Sequence, residues 1–406
     1  MPIEILHLVY GHYPADTRVK RELSALRATG RRCAVIAVRQ ESERATQSVD
    51  GVVTIRVPGR KSRGGFLSYL IEYGDFVVRC RRLIATHRAL ARVRVVHVHT
   101  LPDFLMWAAL PARRRGARLV FDMHEIFPEF ARAKYSGIIG GFIAALATRI
   151  ERWARRHANL VITVNQPIDA LLATRAPSER ERRIVVHNTA DPDDFGQRPT
   201  TGAADGRDPP QLVYHGTLTH IYGLDIAVRA VSAAPGNPQL TIIGAGPERP
   251  HLEALAKSLK TSRVRFESPI SHQALAARLP NFHAGVVPTR LNGMTRYSLS
   301  TKLLEYVHLG IPVLAARLPS YQSYFGEDAL WYWTPDDPAD LVRAIQQFAA
   351  ATAEDRARRA ARAREAISRL AWSLQAERLL SAYAELLTDE GSERIAAIRS
   401  AAVPSP

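Results

Sequence analysis

Two cysteines, Cys33 and Cys80, are all that the chain contains. So few exclude a disulfide framework and a cysteine-bound metal cluster, and they point to a reducing, cytoplasmic setting. No apolar run approaches the ~20 residues that a membrane-spanning helix needs. The opening stretch MPIEILHLVYGHYP lacks a basic leader and a small-residue cleavage site. It reads as a first strand and not as a signal peptide. HExxH and GxSxG are absent, and GAGPER (Gly244 to Arg249) stops short of a full GxGxxG. A zinc protease, a serine hydrolase and a dinucleotide-binding enzyme therefore lack their mechanical parts.

Acidic residues are outnumbered, 39 Asp and Glu against 55 Lys and Arg, for a net charge of +16. Two readings stand: an anionic partner, or a general bias toward Arg and Ala. Helix-turn-helix patterning, zinc-finger spacing and aromatic-basic RNA signatures are missing, so nucleic acid is not expected. An anionic membrane surface is a better-placed partner. Arg60, Lys61, Arg63, Arg79, Arg81, Arg82 and Arg113 to Arg115 all lie in the first half. The segment GFLSYLIEYGDFVVRCRRLIATHRAL mixes apolar and basic residues at helical spacing. It is either a helix that rests on anionic lipid or a core-facing helix with a solvated basic face.

What the chain has is length and alternation. Its 406 residues exceed what one core usually holds. IEILHLVY, RCAVIAV, VVTIRV, VRVVHVH, ARLVFDM, ANLVITV and RIVVHN are apolar strands separated by helical runs. Near-continuous apolar strands between helices predict a parallel sheet covered on both faces. FGQRPTTGAADGRDPP then breaks the pattern as a linker. It restarts with QLVYHG, QLTIIGAG, VRFES, AGVVPT, PVLAA and ALWYW. Two closing helices are expected in DPADLVRAIQQFAA and AWSLQAERLLSAYAELL, and the polar tail is expected to be loose. The predicted division is an amino-terminal domain over 1–195, a linker over 196–210, a second domain over 211–370, a crossover helix over 371–388 and a tail over 389–406.

Four loops at the carboxyl ends of strands carry suggestive side chains, where open α/β sheets bind ligands. In VYGHYPADTRVKREL, Gly11 allows close backbone approach, and Asp16 or Thr17 can cap the helix that brings Arg18 and Lys20. In FDMHEIFPEF, His124 is a donor, a base or a structural residue, with Glu125 and Glu129 as alternatives. In IIGAGPERPHLEAL, Gly244 and Gly246 bracket a strand-to-helix turn. In RYSLSTKLLEYVHLGIPVLA, the helix starts near Ser300 and stops at Gly310. Lys302 in its first turn opposes the helix dipole by about 0.3–1 kcal/mol, unless an anion binds there. The alternative is a lysine pointing into water. Glu305 is either a ribose-hydroxyl acceptor or part of a solvated face. The acidic run in HNTADPDDF is turn chemistry or, less naturally, a metal site.

Taken together, DTRVKREL, VVHVHTLPD, FDMHE, VVHNTADPDDF, LVYHGTLTHIYGLDIAVRAV, LTIIGAGPERPHL and SLSTKLLEYVHLGIPV resemble family 4 retaining glycosyltransferases of the GT-B fold. The resemblance spans nearly the whole chain. It implies an α/β protein with two Rossmann-like domains facing across a cleft and a last helix crossing back to the first domain. It implies sugar transfer from a UDP- or GDP-sugar to a hydroxyl-bearing acceptor, with retention, no cofactor and no bound metal. By position, Glu305 matches the glutamate that holds the donor ribose, and His124 the histidine near the donor sugar. With Lys302 these form the implied catalytic set. The implied donor contacts are Gly11, His12, Gly216, Thr217, Tyr222, Gly244, Gly246, Pro269, Ile270, Thr295, Arg296, Tyr297, Ser298 and Leu299. Tyr13, Asp16, Arg18 and Glu125 fall on the acceptor side. Four positions depart from the family pattern. Tyr297 replaces the first glutamate of E-x7-E. Thr217 and Tyr222 replace the Arg and Lys that grip the diphosphate, and Ser300 replaces a proline. The chain looks like a branch in which Lys302 and Arg296 supply that charge. Rival readings are a sugar-nucleotide epimerase or phosphorylase of the same fold, and a non-catalytic membrane- or polymer-binding protein.

Overall fold

The computed structural model describes residues 2–59, 66–134, 137–175, 181–190, 195 and 209–388. The 196–208 part of the expected linker, the tail, Arg60 to Arg63 and Asp191, Asp193 and Asp194 lie outside those residues. The chain divides into two compact units, Met1–His187 with Ser373–Pro406, and Asn188–Trp372.

The first unit is built on eight strands. They are β1 (Ile5–Leu8), β2 (Cys33–Arg39), β3 (Thr46–Val49), β4 (Val52–Pro58), β5 (Val95–His99), β6 (Arg118–Met123), β7 (Leu160–Thr163) and β8 (Arg183–Val185). The order across the sheet is β3-β4-β2-β1-β5-β6-β7-β8. All pairings are parallel except β3 with β4. The sheet's order reverses at β1, which has β2 on one side and β5 on the other. Every residue of β1, β5 and β7 is buried, as expected for a parallel sheet with both faces covered. The short polar hairpin strand β3 is an addition that its sequence TQSV does not announce.

The helix Thr17–Ala28 follows β1, capped by Asp16, whose carboxylate accepts from the Val19 N–H. Gly30 takes a φ of +80° just past its end, the left-handed conformation that glycine adopts at least cost. The last helix, Trp372–Leu387, belongs to this unit from Ser373 onward. The His187 N–H donates to Gln375 Oε1 at 2.9 Å, and Arg94 donates to the Leu387 carbonyl at 2.6 Å.

The second unit is a six-stranded, wholly parallel sheet in the order β11-β10-β9-β12-β13-β14. Its strands are β9 (Gln211–His215), β10 (Gln239–Ile243), β11 (Val264–Glu267), β12 (Ala284–Val287), β13 (Val313–Ala316) and β14 (Trp331–Trp333). Its order reverses between β9 and β12. Gly285 on β12 leaves room for the Tyr306 ring, which a Cβ would meet at 2.4 Å.

Two closing helices were expected after β14, and three are found among the described residues. The extra one, Ala353–Ser368, carries AEDRARRAARAREAIS and buries only Ala360 and Ala363. It has no apolar stripe to reveal it. Its signal is helix propensity together with the Thr352 cap on the Asp355 N–H.

Candidate active site

In the second unit, the loops after β9 and β10 and the start of the Thr301–Leu309 helix meet at the carboxyl end of the sheet. The Gly216 N–H donates to the Ile243 carbonyl and the Leu218 N–H to the Ala245 carbonyl. A Cβ on Gly244 would lie 1.9 Å from the Gly216 oxygen, and one on Gly246 2.2 Å from the Leu218 oxygen. These two glycines are thus fixed by the neighbouring loop. They let the β9 and β10 loops zip together and shape the rim. Gly216 has a φ of +118°, and a Cβ there would collide with Lys302 Cε at 2.4 Å.

Lys302 is the centre of this arrangement. It is 9 % exposed, and its Nζ lies 3.8 Å from the Tyr222 ring centroid and 5.5 Å from that of Tyr214. Among the described residues no carboxylate pairs with it. Burial lowers its pKa to about 8, against the smaller opposing pull of Glu305. The expected alternative of a lysine pointing into water is therefore not what the fold builds. The helix it opens has Ser300 at its N-cap with no side-chain bond to the first-turn N–H groups. Glu305, one turn on, meets His215 Nε2 at 3.1 Å. An ammonium, an uncapped helix start and a carboxylate one turn away are what an anion next to a pair of hydroxyls would engage.

The remaining donor-side residues separate into two groups. Thr217 and Arg296 are exposed, and Tyr297, Ser298 and Leu299 are half-buried on the same Thr295–Tyr297 turn and its exit. Pro269 and Ile270 are exposed in the loop after β11. Thr295 is a correction, because it is 2 % exposed and its hydroxyl accepts from the Asn292 N–H and donates to the Arg290 carbonyl. It shapes the turn from inside.

In the first unit, Gly11 and the exposed His12 follow β1, and His124 follows β6. His124 is partly exposed. Its Nε2 lies 3.1 Å from Asp122 Oδ2 and 3.1 Å from His99 Nδ1, and its N–H donates to the Thr100 hydroxyl. Asp122 is wholly buried and takes two bonds from the Arg18 guanidinium at 2.9 Å each. Burial pushes the Asp122 carboxyl up, but Arg18 and His124 outweigh it and hold it well below the usual range. An ionised Asp122 fixes the His124 ring and favours a proton on the nitrogen that faces it.

Two acceptor-side assignments are corrected here. Arg18 is 4 % exposed, and Asp122, Glu22 and the Val186 carbonyl take up its guanidinium. Tyr13 is 2 % exposed. Neither side chain is available to an acceptor. Asp16 is half-buried as the helix cap, and Glu125 is exposed.

The sequence of residues 15–189 matches the model of the glycosyl transferase 4-like domain, and that of residues 209–351 matches glycosyl transferases group 1. The chain is a GT-B glycosyltransferase. A search of curated protein sequences finds no match. Among solved structures, this glycosyltransferase is similar to sucrose-phosphate synthase from Thermosynechococcus elongatus. The TM-score is 0.76 at 18% identity, over 95% of this chain and 99% of that one. It is also similar to Anabaena HepE in complex with UDP-glucose, with a TM-score of 0.70 at 15% identity over 94% and 99% of the two chains. For WaaG, a glycosyltransferase of lipopolysaccharide biosynthesis, the TM-score is 0.67 at 17% identity, over 92% and 98%.

Sequence reasoning missed the buried partners of the glycosyltransferase's candidate residues. Asp122 lies two residues before His124 in FDMHE, where strand alternation puts both on one face. His97 and His99 are visible as H-x-H in VVHVH, and the two rings stack 4.3 Å apart. His215, whose Nε2 lies 3.1 Å from Glu305, closes QLVYH and carried no motif of its own.

Proposed function

We propose that this glycosyltransferase moves a hexose from a UDP- or GDP-sugar to a hydroxyl of a glycan, glycolipid or small natural product, with retention at the anomeric carbon. The observation that carries the donor reading is Lys302, a buried ammonium without a carboxylate partner among the described residues, at an uncapped helix start. A diphosphate supplies the missing anion. HepE, the similar Anabaena protein, was solved with UDP and with UDP-glucose, which favours uridine.

In the proposed reaction the bond from the anomeric carbon to the β-phosphate oxygen breaks, and the electron pair leaves with the nucleoside diphosphate. Lys302, the first-turn N–H groups of the Thr301–Leu309 helix and the exposed Arg296 offset that growing charge, so no metal is assigned to the diphosphate. The acceptor oxygen bonds the anomeric carbon from the same face, and its proton passes to the departing phosphate. Glu305, with His215 Nε2 3.1 Å away, accepts from the ribose hydroxyls. His124, steadied by Asp122, hydrogen-bonds the sugar. Tyr297 stands where the resemblance leads one to expect a sugar-holding glutamate, so the Met294–Tyr297 turn is assigned donor choice.

The test is incubation of the full chain with a panel of labelled nucleotide sugars and hydroxyl acceptors. Nucleoside diphosphate release together with an α-linked product from an α-linked donor supports the reading. Epimerised donor without diphosphate release overturns it. Glu305→Ala is expected to raise the KM for donor by about tenfold or more, as loss of a charged hydrogen-bond acceptor does.

Peripheral contact with an anionic membrane at the cytoplasmic face is a further part of the reading, supported by the surface of the first unit. Among the described residues no helix is long and apolar enough to cross a membrane. Yet Ile71, Val78, Trp107, Phe142 and Leu146 are exposed large apolar residues on three elements, the helices Phe66–Thr86 and Gly137–His157 and the turn Asp103–Ala109. Val77, Phe104, Trp107, Arg149, Ile150 and Trp153 line an almost wholly apolar groove of about 340 Å³ beside them. The Arg81 guanidinium sits 4.0 Å from the Trp107 ring centroid, and Arg79, Arg82, Arg149 and Arg152 are exposed nearby in sequence. Apolar side chains among arginines suit the boundary between acyl chains and anionic headgroups.

A further inference from the structure

The ammonium of Lys302 has an aromatic ring where a carboxylate would be usual. Its Nζ lies 3.8 Å from the Tyr222 ring centroid, well inside the ~6 Å over which a cation is drawn to a ring face. Among the described residues no carboxylate pairs with it, and Glu305, one turn along the same helix, meets His215 Nε2 at 3.1 Å. The stem is confined too, because it lies against Gly216, where a Cβ would meet Lys302 Cε at 2.4 Å.

The ring is itself held. Tyr222 ends the short turn His220–Tyr222 after β9, and its N–H donates to the Thr219 carbonyl at 3.0 Å. Arg290, in the loop after β12, fastens this turn through three groups. Its backbone N–H donates to the Ile221 carbonyl at 3.0 Å and its Nε to the His220 carbonyl at 3.2 Å. Its Nη2 donates to both oxygens of Asp225, at 2.7 and 2.6 Å, in the first turn of the helix Leu224–Ala233. A Cβ on Gly223 would meet the Pro288 carbonyl oxygen at 2.2 Å, so the two loops lie in close contact. Charged hydrogen bonds on both sides of Tyr222 fix the backbone from which its ring projects.

A carboxylate at this spot would hold Lys302 by cancelling its charge. The face of a ring holds a cation through its quadrupole and adds no net charge. The ammonium is thus stabilised in a desolvated place and still offers its whole charge to an anion. We propose that Tyr222 is a positioning residue, whose ring keeps Lys302 charged and in place for the donor diphosphate, with Arg290 fixing the ring. This role rests on the reading of Lys302 as the diphosphate's partner. The other titratable groups around Lys302 are Glu305 and Tyr306 on its own helix, Tyr214 and His215 on β9, and Tyr321, which acts on Tyr214. Burial pushes the Tyr214, Tyr306 and Tyr321 hydroxyls up, so they stay neutral, and Glu305 is the carboxylate whose charge acts on Lys302.

The chain has six lysines, so labelling the lysine Cε with carbon-13 gives few NMR signals, and Lys302→Met identifies that of Lys302. The wild-type signal is expected to titrate with a midpoint at about pH 8. Tyr222→Leu keeps much of the bulk and loses the quadrupole, and its midpoint is expected about one pH unit lower. Tyr222→Phe keeps the ring face and is expected to titrate with the wild-type midpoint. Phenylalanines with increasing numbers of ring fluorines in place of Tyr222 weaken the face at nearly constant shape. They should lower the midpoint step by step, and this series decides if the leucine variant does not fold. By calorimetry, UDP affinity in Tyr222→Leu is expected to fall about fivefold at pH 8 and less than about twofold at pH 6.5, where Lys302 is mostly charged in both proteins. A midpoint in Tyr222→Leu at or above the wild-type one, or a fluorinated series without a trend, overturns the role. An equal loss of UDP affinity at both pH values overturns it as well, because the ring then acts on the ligand and not through Lys302. Midpoints that move as stated in a wild-type protein that binds neither UDP nor GDP support the pairing of ring and ammonium and overturn the donor reading instead.

Discussion

Lys302 shows how one residue can be set up for a ligand by what surrounds it. Its stem runs over Gly216, where no side chain could be tolerated, and its charge rests on the Tyr222 ring. Lys302→Ala is expected to cut turnover by ~10²-fold or more, as loss of one charge-stabilising contact does. Lys302→Met keeps the stem and should lose as much activity while folding normally. Activity within about threefold of wild type in either variant refutes the anion role. A pH dependence follows from the lowered pKa of about 8. Below that pH the free protein presents an ammonium, and above it a neutral amine. An anion binds the charged form, so its affinity falls as pH rises through about 8, by about tenfold per unit until the lysine of the complex also deprotonates. Titration calorimetry with UDP between pH 7 and 9.5 measures this, and a flat profile contradicts it. The sequence made Lys302 and Glu305 legible, because a lysine in a first helical turn and a glutamate on an apolar face both break local rules. It could not reveal that Arg18 and Tyr13 turn inward. Tyr13 lies in the glycine-containing loop after β1 and Arg18 in the first turn of the helix that follows, where polar residues usually meet ligand, and for Arg18 the position of Asp122 on a strand far along the chain decides otherwise.

At the scale of elements, strands were the most legible part, because a parallel sheet needs continuous apolar runs and each run announces itself. The weak signals were those with little apolar content, β3 with TQSV and the Ala353–Ser368 helix. Gly244 and Gly246 look in sequence like an incomplete nucleotide fingerprint, and in the fold they serve a contact between two loops. Gly246→Ala is expected to destabilise the protein by about 1–3 kcal/mol, the usual cost of overpacking, because the backbone at Leu218 cannot step aside as a side chain would. A thermal melt that leaves Tm unchanged would show that the two loops are free to part. The variant should also weaken UDP binding, since Gly216, which lies under the Lys302 stem, rides on the displaced loop.

For the whole molecule, the charge of +16 becomes interpretable once its placement is known. Many arginines are spent internally, such as Arg155 with Glu151 and Glu181, and Arg290 with Asp225. Composition alone could not separate these from the exposed arginines beside Phe142 and Leu146. The protein is expected to sediment with vesicles that contain about 30% anionic lipid at low salt, and to be released at about 0.5 M salt, where screening is nearly complete. Phe142→Glu with Leu146→Glu should abolish sedimentation without changing Tm. Equal sedimentation with neutral vesicles would remove the electrostatic part of the reading. The division into units has a different consequence, for synthesis. Asn188–Trp372 is one uninterrupted stretch, whereas the first unit is completed only by Ser373 onward. On the ribosome the half made first must therefore wait, with the seat of Tyr383 on His97 and of Gln375 on His187 still empty. The half made second can close its own core earlier, so the order of maturation is the reverse of the order of translation.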